Sequence, residues 1–509
     1  MRTTAAPTSS NLATSAAFAC LILGIVTAIR LVGLRYSTAD LFIDEAQYWS
    51  WSRELAFGYF SKPPLIAWLI AGSTALCGDG EACIRSVSPV LHLAAGLIVY
   101  ALGRMLYDAR TGLWAARLLM FGTGAVFSAR IVSTDVPLAA CWALALLAYM
   151  RLRTAPDWRW GAVLGVALGL GLLAKYAMAY FIAGAALAAF VDKDARDVLK
   201  RPELWFALAI AVVLLAPNLI WNVRNGFVTL RNTGDVVLSE PFEPSLLRPL
   251  EFLAAQFAVF GPVVFGAGWA ALLGWRKLVP TERVLLAFAL PPLAAITAIA
   301  VLAPAYANWA AVSGVSLTVL AAALLLRWRR QWLLWASLAL GIFTQGLFLI
   351  GDAVATRIHI PFIKPPNPYE RTLGWNAYAK MIGEMADRIG APTIAAEERA
   401  DFAALLYYRR HARQEILAWP SAESPKFEMT RALTAAARQP VLFVTICPFA
   451  QRLAPHFAKV EPLGNFATDN PVPRYFSAFR LAEPVAAVGP LDICKKPENA
   501  GFLPMGNIP

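Results

Sequence analysis

Long apolar blocks alternate with short polar segments along the first 350 residues of the chain. A helix needs about 20 apolar residues to cross a hydrocarbon core roughly 30 Å thick. Most of the blocks approach that length, so the pattern predicts a polytopic α-helical membrane protein with about eleven spans. The predicted spans are 15–34, 86–106, 112–130, 134–151, 160–174, 176–191, 204–221, 251–273, 284–302, 308–326 and 332–350.

Four blocks need separate interpretation. Pro64–Leu76 holds only about 13 residues, which favours an interfacial or re-entrant helix over a span. The spans 160–174 and 176–191 are also short and are compatible with one re-entrant pair. The first span lies close to the N-terminus and has no convincing small-residue cleavage site, so it is predicted to stay uncleaved.

Lys and Arg concentrate in alternate loops between the predicted spans, and short basic loops face the cytoplasm. Five loops agree, which predicts a multi-pass protein of the bacterial inner membrane with a cytoplasmic N-terminus. Segments 35–85, 131–134, 222–250, 303–307 and 351–509 are then outside. The basic residues are Arg104 and Arg110; Arg151, Arg153 and Arg159; Lys193, Arg196, Lys200 and Arg201; Arg276, Lys277 and Arg283; and Arg327, Arg329 and Arg330.

The composition favours a membrane protein over a soluble one. Of 509 residues, 58% are hydrophobic and 15% are charged, against roughly 25% charged in ordinary soluble domains. The net charge of +12 would suggest nucleic-acid binding in a soluble protein. Here the cations are dispersed between apolar blocks and set the orientation, so no nucleic-acid partner is expected.

From residue 353 onward the apolar runs shrink to strand length. Strands that alternate with helices predict a small α/β domain. The chain is therefore predicted to comprise a membrane domain, 1–352, and a soluble periplasmic α/β domain, 353–509. Strands are predicted at Thr393–Ala395, Ile416–Trp419, Val441–Ile446 and Tyr475–Leu481, and helices near Trp375–Ile389 and Arg399–Arg410.

Four of the six cysteines fall in segments that are predicted to lie outside. They form two candidate pairs, Cys77 with Cys83 and Cys447 with Cys494, and an oxidising periplasm permits disulfides. Spacing alone does not establish bridging geometry, so both pairings stay open.

The first outer loop, 35–85, holds the strongest candidate chemistry. The adjacent acids Asp44 and Glu45 follow the first span, and Tyr48 and Lys62 come after them. A carboxylate at the membrane surface can serve as general base for a hydroxyl or hold one divalent cation. A fixed Lys nearby can hold an anionic phosphate. Solvated charges beside interfacial aromatic residues are the alternative.

Other polar residues lie at the predicted outer ends of spans. Asp135 begins a span, where it either complements the helix dipole or points into the bundle interior. Lys175 interrupts an apolar run and either snorkels to the interface or reaches a bound anion. Arg224 and Arg231 can clamp a phosphate, although loop charges are usually solvated. The further candidates are Asn218, Asn222, Tyr306, Asn308 and Trp309.

Several familiar signals are missing from the sequence. It contains no phosphate-cradling glycine loop of the nucleotide-binding type and no zinc spacing, and its four histidines are far apart. These absences argue against a nucleotide-driven pump and against a His-based metal hydrolase.

The order of the motifs resembles membrane glycosyltransferases of the GT-C fold, in the bacterial branch related to protein O-mannosyltransferases and lipid A aminoarabinose transferases. The match begins at Asp44-Glu45-x-x-Tyr48, and the tail that opens at Gly374-Trp375 looks like the family's periplasmic domain. The resemblance therefore spans nearly the whole chain. The motifs between are Tyr59-Phe60-Ser61-Lys62-Pro63-Pro64-Leu65, Ser133-Thr134-Asp135-x-Pro137, Gly171-Leu172-Leu173-Ala174-Lys175, Trp221-Asn222 and Asn308-Trp309.

The resemblance implies an enzyme that takes a sugar from a polyprenyl-phosphate carrier and transfers it, usually with inversion, to an acceptor outside the cytoplasmic membrane. It implies two catalytic carboxylates: Asp44, as general base or as ligand of an ion near the donor phosphate, and Asp135, which borders the cavity. The remaining assignments are Lys62, Lys175, Arg224, Arg231 and Tyr306 to the donor phosphate, and Glu45, Tyr48 and Asn308 to support.

Two positions depart from the aminoarabinose transferases. Those enzymes have Glu immediately before the Lys-Pro motif, where this chain has Ser61, so a metal site that uses that carboxylate is in doubt. They also carry Arg where Gln47 stands here, which removes a cation expected near the carrier phosphate. A different donor sugar is the implied consequence.

The expected function is transfer of a hexosyl or pentosyl group to lipid A, lipopolysaccharide, another glycolipid or a protein on the periplasmic face. A transporter or flippase of lipid-linked sugars is the alternative, and such proteins generally show inverted repeats, which are not detected here. Pocket shape decides the sugar and the acceptor, and a sequence pattern does not report it.

Overall fold

The structure, a computed structural model, describes residues 9–238, 244–363, 365–421, 426–468, 472–485, 487–492 and 494. Its helices are α1 (Ser9–Arg35), α2 (Ile43–Ser52), α3 (Leu65–Cys77), α4 (Glu81–Arg85), α5 (Val87–Leu106), α6 (Ala109–Phe121), α7 (Thr123–Ser128), α8 (Asp135–Thr154), α9 (Trp158–Ala174), α10 (Tyr180–Val191), α11 (Lys193–Val198), α12 (Pro202–Arg224), α13 (Val228–Leu238), α14 (Leu247–Val259), α15 (Pro262–Leu273), α16 (Pro280–Leu302), α17 (Ser313–Arg327), α18 (Gln331–Ala353), α19 (Trp375–Arg388) and α20 (Arg399–Tyr408). Its strands are β1 (Thr393–Ala396), β2 (Glu415–Ala418), β3 (Val441–Thr445), β4 (Phe457–Ala467) and β5 (Tyr475–Pro484).

The chain forms two compact units. The membrane unit comprises residues 1–37 and 62–351, and the second unit comprises residues 38–61 and 352–509. The segment 38–61, which belongs to the predicted catalytic loop 35–85, thus folds with the C-terminal residues.

The membrane unit contains a helix in each of the eleven predicted spans. Six helical stretches of the described residues are long and apolar enough to cross a membrane. They match six of the predicted spans, and the other five correspond to shorter helices, so the count of eleven remains a prediction. The six are Ala16–Arg35, Glu81–Leu106, Asp135–Thr154, Pro202–Arg224, Pro280–Leu302 and Gln331–Ala353.

Two predicted spans are each broken into two helices. The span at 112–130 breaks at Gly122, between α6 and α7, and the carbonyl of Met120 accepts a hydrogen bond of 2.5 Å from Nη2 of Arg30. Nε of Arg30, a residue that is only 2% exposed, donates to Gln345 Oε1 at 2.8 Å. Carbonyls freed at a helix end must be satisfied within the protein in an apolar medium. Arg30 therefore caps the break, a role that the sequence pattern does not reveal.

The second break separates α14 from α15 at Gly261, whose φ of +84° a glycine adopts without strain. The hydroxyl of Thr123, which opens α7, donates to the carbonyl of Ala258 near the end of α14. The two broken spans therefore meet where their helices are interrupted, and each satisfies polar groups of the other.

The second unit is built on a five-stranded mixed sheet of order β2-β1-β3-β5-β4. The first three strands in this order are mutually parallel, and β5 and β4 continue the sheet in antiparallel register. The helices α19 and α20 cover one face, where Ile394, Leu442 and Val444 are buried. On the other face, Phe443 packs with Trp419. The predicted α/β domain is therefore present, with all four predicted strands.

The edge strand β4 is not among the strands predicted from the sequence. Most of its residues are half-buried or exposed, and its pairing with β5 is irregular between Pro462 and Gly464. Proline and irregular pairing are typical of sheet edges, where a strand lacks a continuous apolar run. The sequence of β4 therefore lacks the apolar run on which the other strand predictions rest.

The outer-loop segment forms α2, which packs against α20 in the second unit. The rings of Trp49 and Tyr407 meet edge to face with centroids 5.1 Å apart. The backbone N–H of Leu41 donates to Tyr408 Oη at 2.7 Å. These contacts attach the segment that carries Asp44 to the C-terminal sheet domain.

Both candidate cysteine pairs are disulfide-bonded in the structure. Cys77 and Cys83 join the end of α3 to α4, with their Cα atoms 5.8 Å apart. Cys447 and Cys494 join the segment after β3 to the C-terminal tail across 6.0 Å. The two alternatives that spacing left open are therefore resolved in favour of bridging.

One buried carboxyl gives the second unit a testable pH dependence. Burial raises the pKa of Asp401, on α20, to about 7, and the nearby Glu398 acts in the same direction. The folded protein therefore binds a proton that the unfolded chain releases at its ordinary pKa near 3.8. This contribution to stability is complete at low pH and is lost as the pH rises through about 7.

Asp401→Asn should accordingly raise the melting temperature of the full-length protein in detergent at pH 8 by several degrees and change it little at about pH 4, where the unfolded chain also keeps most of its proton. Near-UV circular dichroism of the unfolding transition measures this. The control is Glu461→Gln, which alters an exposed ion pair with Arg480 in the same sheet. An equal shift at both pH values would show that Asp401 acts by packing instead of by its charge.

Candidate functional site

Three predicted site residues meet in the membrane unit. Nζ of Lys175 lies 2.7 Å from Oδ1 of Asp135, and Nδ2 of Asn308 donates to Oδ2 of the same carboxylate at 2.6 Å. The side chains of Asp135 and Lys175 are 15% and 22% exposed. The cluster is thus a partly open polar site built from segments up to 173 residues apart.

Local chain breaks position each member of this cluster. Asp135 is the first residue of α8, where its charge complements the helix dipole. Lys175 ends α9 in an extended conformation, with φ of −163° and ψ of 134°, before a short 3₁₀ turn. Asn308 lies in another 3₁₀ turn, between α16 and α17. Polar residues at such breaks leave the apolar helix faces intact.

A second polar network follows directly from Lys175. The hydroxyl of Tyr176 donates to Asn218 Oδ1 at 2.8 Å and accepts from Asn222 Nδ2 at 3.2 Å. Both asparagines are fully buried on α12. These two hydrogen bonds tie the turn that follows Lys175 to α12.

The two acidic residues of the outer loop, Asp44 and Glu45, have different environments in the second unit. Glu45 is 1% exposed, and its Oε2 accepts from the backbone N–H of Phe42 at 2.9 Å, which caps α2. The side chain of Asp44 is 38% exposed. Only Asp44 is therefore open to a substrate, and Glu45 supports the helix that presents it.

Arg399 binds Asp44 and was missed in the sequence analysis. Its Nη2 donates to Asp44 Oδ1, and its Nε donates to Gln47 Oε1 at 2.8 Å. Among the described residues, Asp44 Oδ2 has no hydrogen-bond partner and stays available. Gln47, where the resemblance expects Arg, thus still has a cation beside it, and that cation comes from a position 352 residues later in the chain.

Aromatic stacking holds the rest of the loop. The rings of Trp51 and Tyr59 are stacked at 4.6 Å, and Tyr48 packs on Trp51 at 5.3 Å. Tyr59 Oη donates to the carbonyl of Trp51 at 2.9 Å, and burial raises the pKa of Tyr59 to about 12. The phenol therefore stays neutral and acts as a structural donor, and Tyr48 packs on the same Trp51 ring.

The other predicted phosphate ligands are not brought into the Asp135 cluster. Lys62 is half-buried and lies just before α3 in the membrane unit. Arg224 ends α12 and Arg231 lies on α13, and both are exposed. Tyr306 is 61% exposed and packs on Trp309 at 5.5 Å. Their binding roles remain predictions.

The described residues offer few ligands for the expected divalent cation. No group of three or more His, Cys, Asp or Glu side chains gathers into a possible metal site within the described ranges. Asp44 offers one oxygen, whereas Glu45 is engaged in capping α2, and Ser61 stands where the resemblance expects a carboxylate. Mg²⁺ can bind through one carboxylate and substrate phosphates. A cation at Asp44 therefore remains a prediction.

Known proteins resemble this chain in sequence. The family profile described as dolichyl-phosphate-mannose-protein mannosyltransferase matches residues 61–221. The chain is 34% identical to the lipid A galacturonosyltransferase RgtD of Rhizobium johnstonii over 433 residues, which cover 84% of this chain and 90% of the relative. It is also 27% identical to the lipopolysaccharide core galacturonosyltransferase RgtB of the same organism, over 50% of this chain and 55% of the relative.

Solved structures show the same fold. Crystal structures of ArnT from Cupriavidus metallidurans, in the apo state and bound to undecaprenyl phosphate, superpose with TM-scores of 0.63 and 0.65. Each covers 92% of this chain and 98% of the ArnT chain at 16% identity. The chain belongs to the bacterial GT-C membrane glycosyltransferases, in the branch that includes the lipid A galacturonosyltransferases. The predicted resemblance and the predicted glycosyltransferase class are thereby confirmed.

The Asp135 cluster can be tested by breaking its ion pair. Asp135→Asn removes the charge that holds Lys175, and removal of one partner of a partly buried pair costs about 2 kcal/mol or more, which is roughly a 30-fold loss of sugar transfer. Transfer by the purified enzyme in nanodiscs measures it.

The matched control is Asp197→Asn, which breaks the exposed pair between Asp197 and Lys200 at 2.9 Å. That variant should keep wild-type activity, because exposed pairs contribute little. Equal activity of the Asp135 and Asp197 variants would remove the cluster from the functional site.

Proposed function

We propose that this protein transfers a galacturonosyl group from a polyprenyl-phosphate carrier to lipid A on the periplasmic face of the inner membrane. The observation that carries the proposal is the meeting of Asp135, Lys175 and Asn308 at one polar site. Extended identity to a lipid A galacturonosyltransferase supports the sugar and the acceptor. The ArnT structure bound to undecaprenyl phosphate supports the class of carrier.

The proposed chemistry is a direct displacement at the anomeric carbon. The acceptor hydroxyl attacks that carbon, and its proton passes to Asp44. The bond between the anomeric carbon and the phosphate oxygen breaks, and the electron pair leaves with the polyprenyl phosphate. One displacement inverts the anomeric configuration. An aimed carboxylate contributes about 10²–10⁴-fold to such a step as general base.

Asp44 is well arranged for this role. Oδ1 is held by Arg399, which orients the carboxylate, while Oδ2 can accept the proton. Glu45 and the stacked aromatic residues hold α2, the helix that carries Asp44, in position. A base that is positioned before substrate arrives loses little entropy at the moment of reaction.

Lys175 is suited to the leaving group. Its ammonium carries three N–H donors, and among the described residues Asp135 is its side-chain partner. The remaining donors can bind the carrier phosphate and stabilise the charge that develops as the bond breaks. Lys62 is proposed as a second phosphate ligand, while Arg224, Arg231 and Tyr306 are proposed to approach the carrier from the outer loops.

The orientation follows from the basic loops, which place the N-terminus in the cytoplasm. Two disulfides in segments assigned to the outside support the same orientation, because disulfides persist in an oxidising compartment. Transfer on that face needs no nucleotide sugar, since the carrier lipid brings the activated sugar across the membrane.

Asp44→Asn should abolish transfer, with a loss of about 10³-fold, because an amide cannot take the proton. Membrane insertion and the melting temperature should stay unchanged. Mass spectrometry of lipid A from cells with the wild-type or the variant chain reads out the product. The control Glu54→Gln changes an exposed carboxylate of the same loop that pairs with Arg431. Transfer at the wild-type rate by purified Asp44→Asn would overturn the catalytic assignment.

For the orientation, a periplasm-active reporter fused after residue 360 should be active, and the same reporter fused in the basic loop 193–201 should be silent. Activities of both fusions in intact cells measure this. The reverse pattern would place the C-terminal unit in the cytoplasm.

A further inference from the structure

Arg399 lies where open α/β sheets commonly bind ligands. It begins α20 directly after β1, and the chain then runs to β2 on one side of β1 and later to β3 on the other side. Ligand sites in such sheets lie at the carboxyl ends of the strands where the strand order reverses. Arg399 occupies that point in the second unit.

The guanidinium of Arg399 is only partly used by the protein. Its Nε and Nη2 bind Gln47 and Asp44, and the ring of Phe60 lies 5.8 Å from its Cζ. A guanidinium has five N–H donors. Within the described chain these two acceptors are its hydrogen-bond partners, and the side chain is 37% exposed. The edge formed by Nη1 and Nη2 can therefore receive a further planar anion.

A carboxylate-bearing sugar creates a charge problem at this position. The general base is itself a carboxylate, so a uronosyl group beside Asp44 brings two negative charges together and is repelled. Arginine solves this problem because its two edges can each bind a carboxylate with parallel N–H donors. A lysine ammonium lacks a second pair of parallel donors. A neutral sugar carries no negative charge that would need a cation beside it.

We propose that Arg399 is a substrate-binding residue that recognises the carboxylate of a uronosyl donor while it holds Asp44 in place. The proposal rests on the proposed function and adds to it the group that selects the sugar. Arg399 binds the enzyme's base through Nη2 and Gln47 through Nε, and it binds the substrate's carboxylate through its Nη1 and Nη2 edge. The same guanidinium therefore both selects an acidic sugar and orients the general base.

The test compares two donors that share one carrier. Purified full-length wild type, Arg399→Gln and Arg399→Lys in nanodiscs are assayed with undecaprenyl-phosphate galacturonic acid and with undecaprenyl-phosphate galactose, with lipid A as acceptor. Arg399→Gln should lower kcat/KM for the uronosyl donor by about 100-fold, and less than about 10-fold for the galactosyl donor, since only the first carries the group to be paired. Arg399→Lys should fall between wild type and Arg399→Gln with the uronosyl donor.

The matched control is Arg431→Gln, which breaks another pair between the outer-loop segment and the C-terminal residues, that of Arg431 with Glu54. It should leave the ratio of the two donors unchanged, and melting temperatures confirm that each variant is folded. Equal losses with both donors would mean that Arg399 only positions Asp44, and unchanged rates would deny it any role; either result overturns the proposal. A wild-type enzyme that is inactive with the uronosyl donor would instead overturn the proposed function itself.

Discussion

Backbone groups inside a bilayer have no water to bind, and this constraint organises the whole membrane unit. A chain in hydrocarbon stays helical unless side chains satisfy the groups that a break releases. At Gly122 this is done by Arg30, and at the neighbouring break by Thr123. The interruption at Lys175 obeys the same rule, because the Tyr176 network supports the turn that follows. Places where the helix can stop are few, and polar residues collect there.

The residues of the candidate site lie where helices of the membrane unit end. Asp135, Lys175 and Asn308 each lie at a helix end or in a 3₁₀ turn, so they contribute charge and hydrogen bonds without interrupting an apolar face. Mutual neutralisation of Asp135 and Lys175 lowers the cost of keeping ions in a partly apolar setting. In the proposed mechanism the pair is preorganised before the carrier phosphate arrives, which is how protein dipoles and ions stabilise developing charge most effectively.

Sequence alone could predict the helices, the C-terminal sheet and polar candidates such as Asp135 and Lys175, which the structure brings together, because these depend on local composition and on the order of motifs. Span length is a property of consecutive residues, and the acidic pair and Lys175 stand out against apolar surroundings. It could not reveal Arg30 or Arg399, whose partners lie 315 and 355 residues away and whose own neighbourhoods look ordinary. Nor could it separate Asp44 from Glu45, since burial alone distinguishes the open carboxylate from the one that caps a helix.

The second unit is discontinuous in the chain, because residues 38–61 fold with residues 352–509. A single cut near residue 353 therefore does not release a complete domain, since it leaves α2 and Asp44 behind. Recombination between related genes faces the same restriction. An exchange of the C-terminal portion alone would pair one parent's Asp44 with the other parent's residue at position 399. The two segments are therefore expected to be inherited together, because a substitution in one changes the partner of the other.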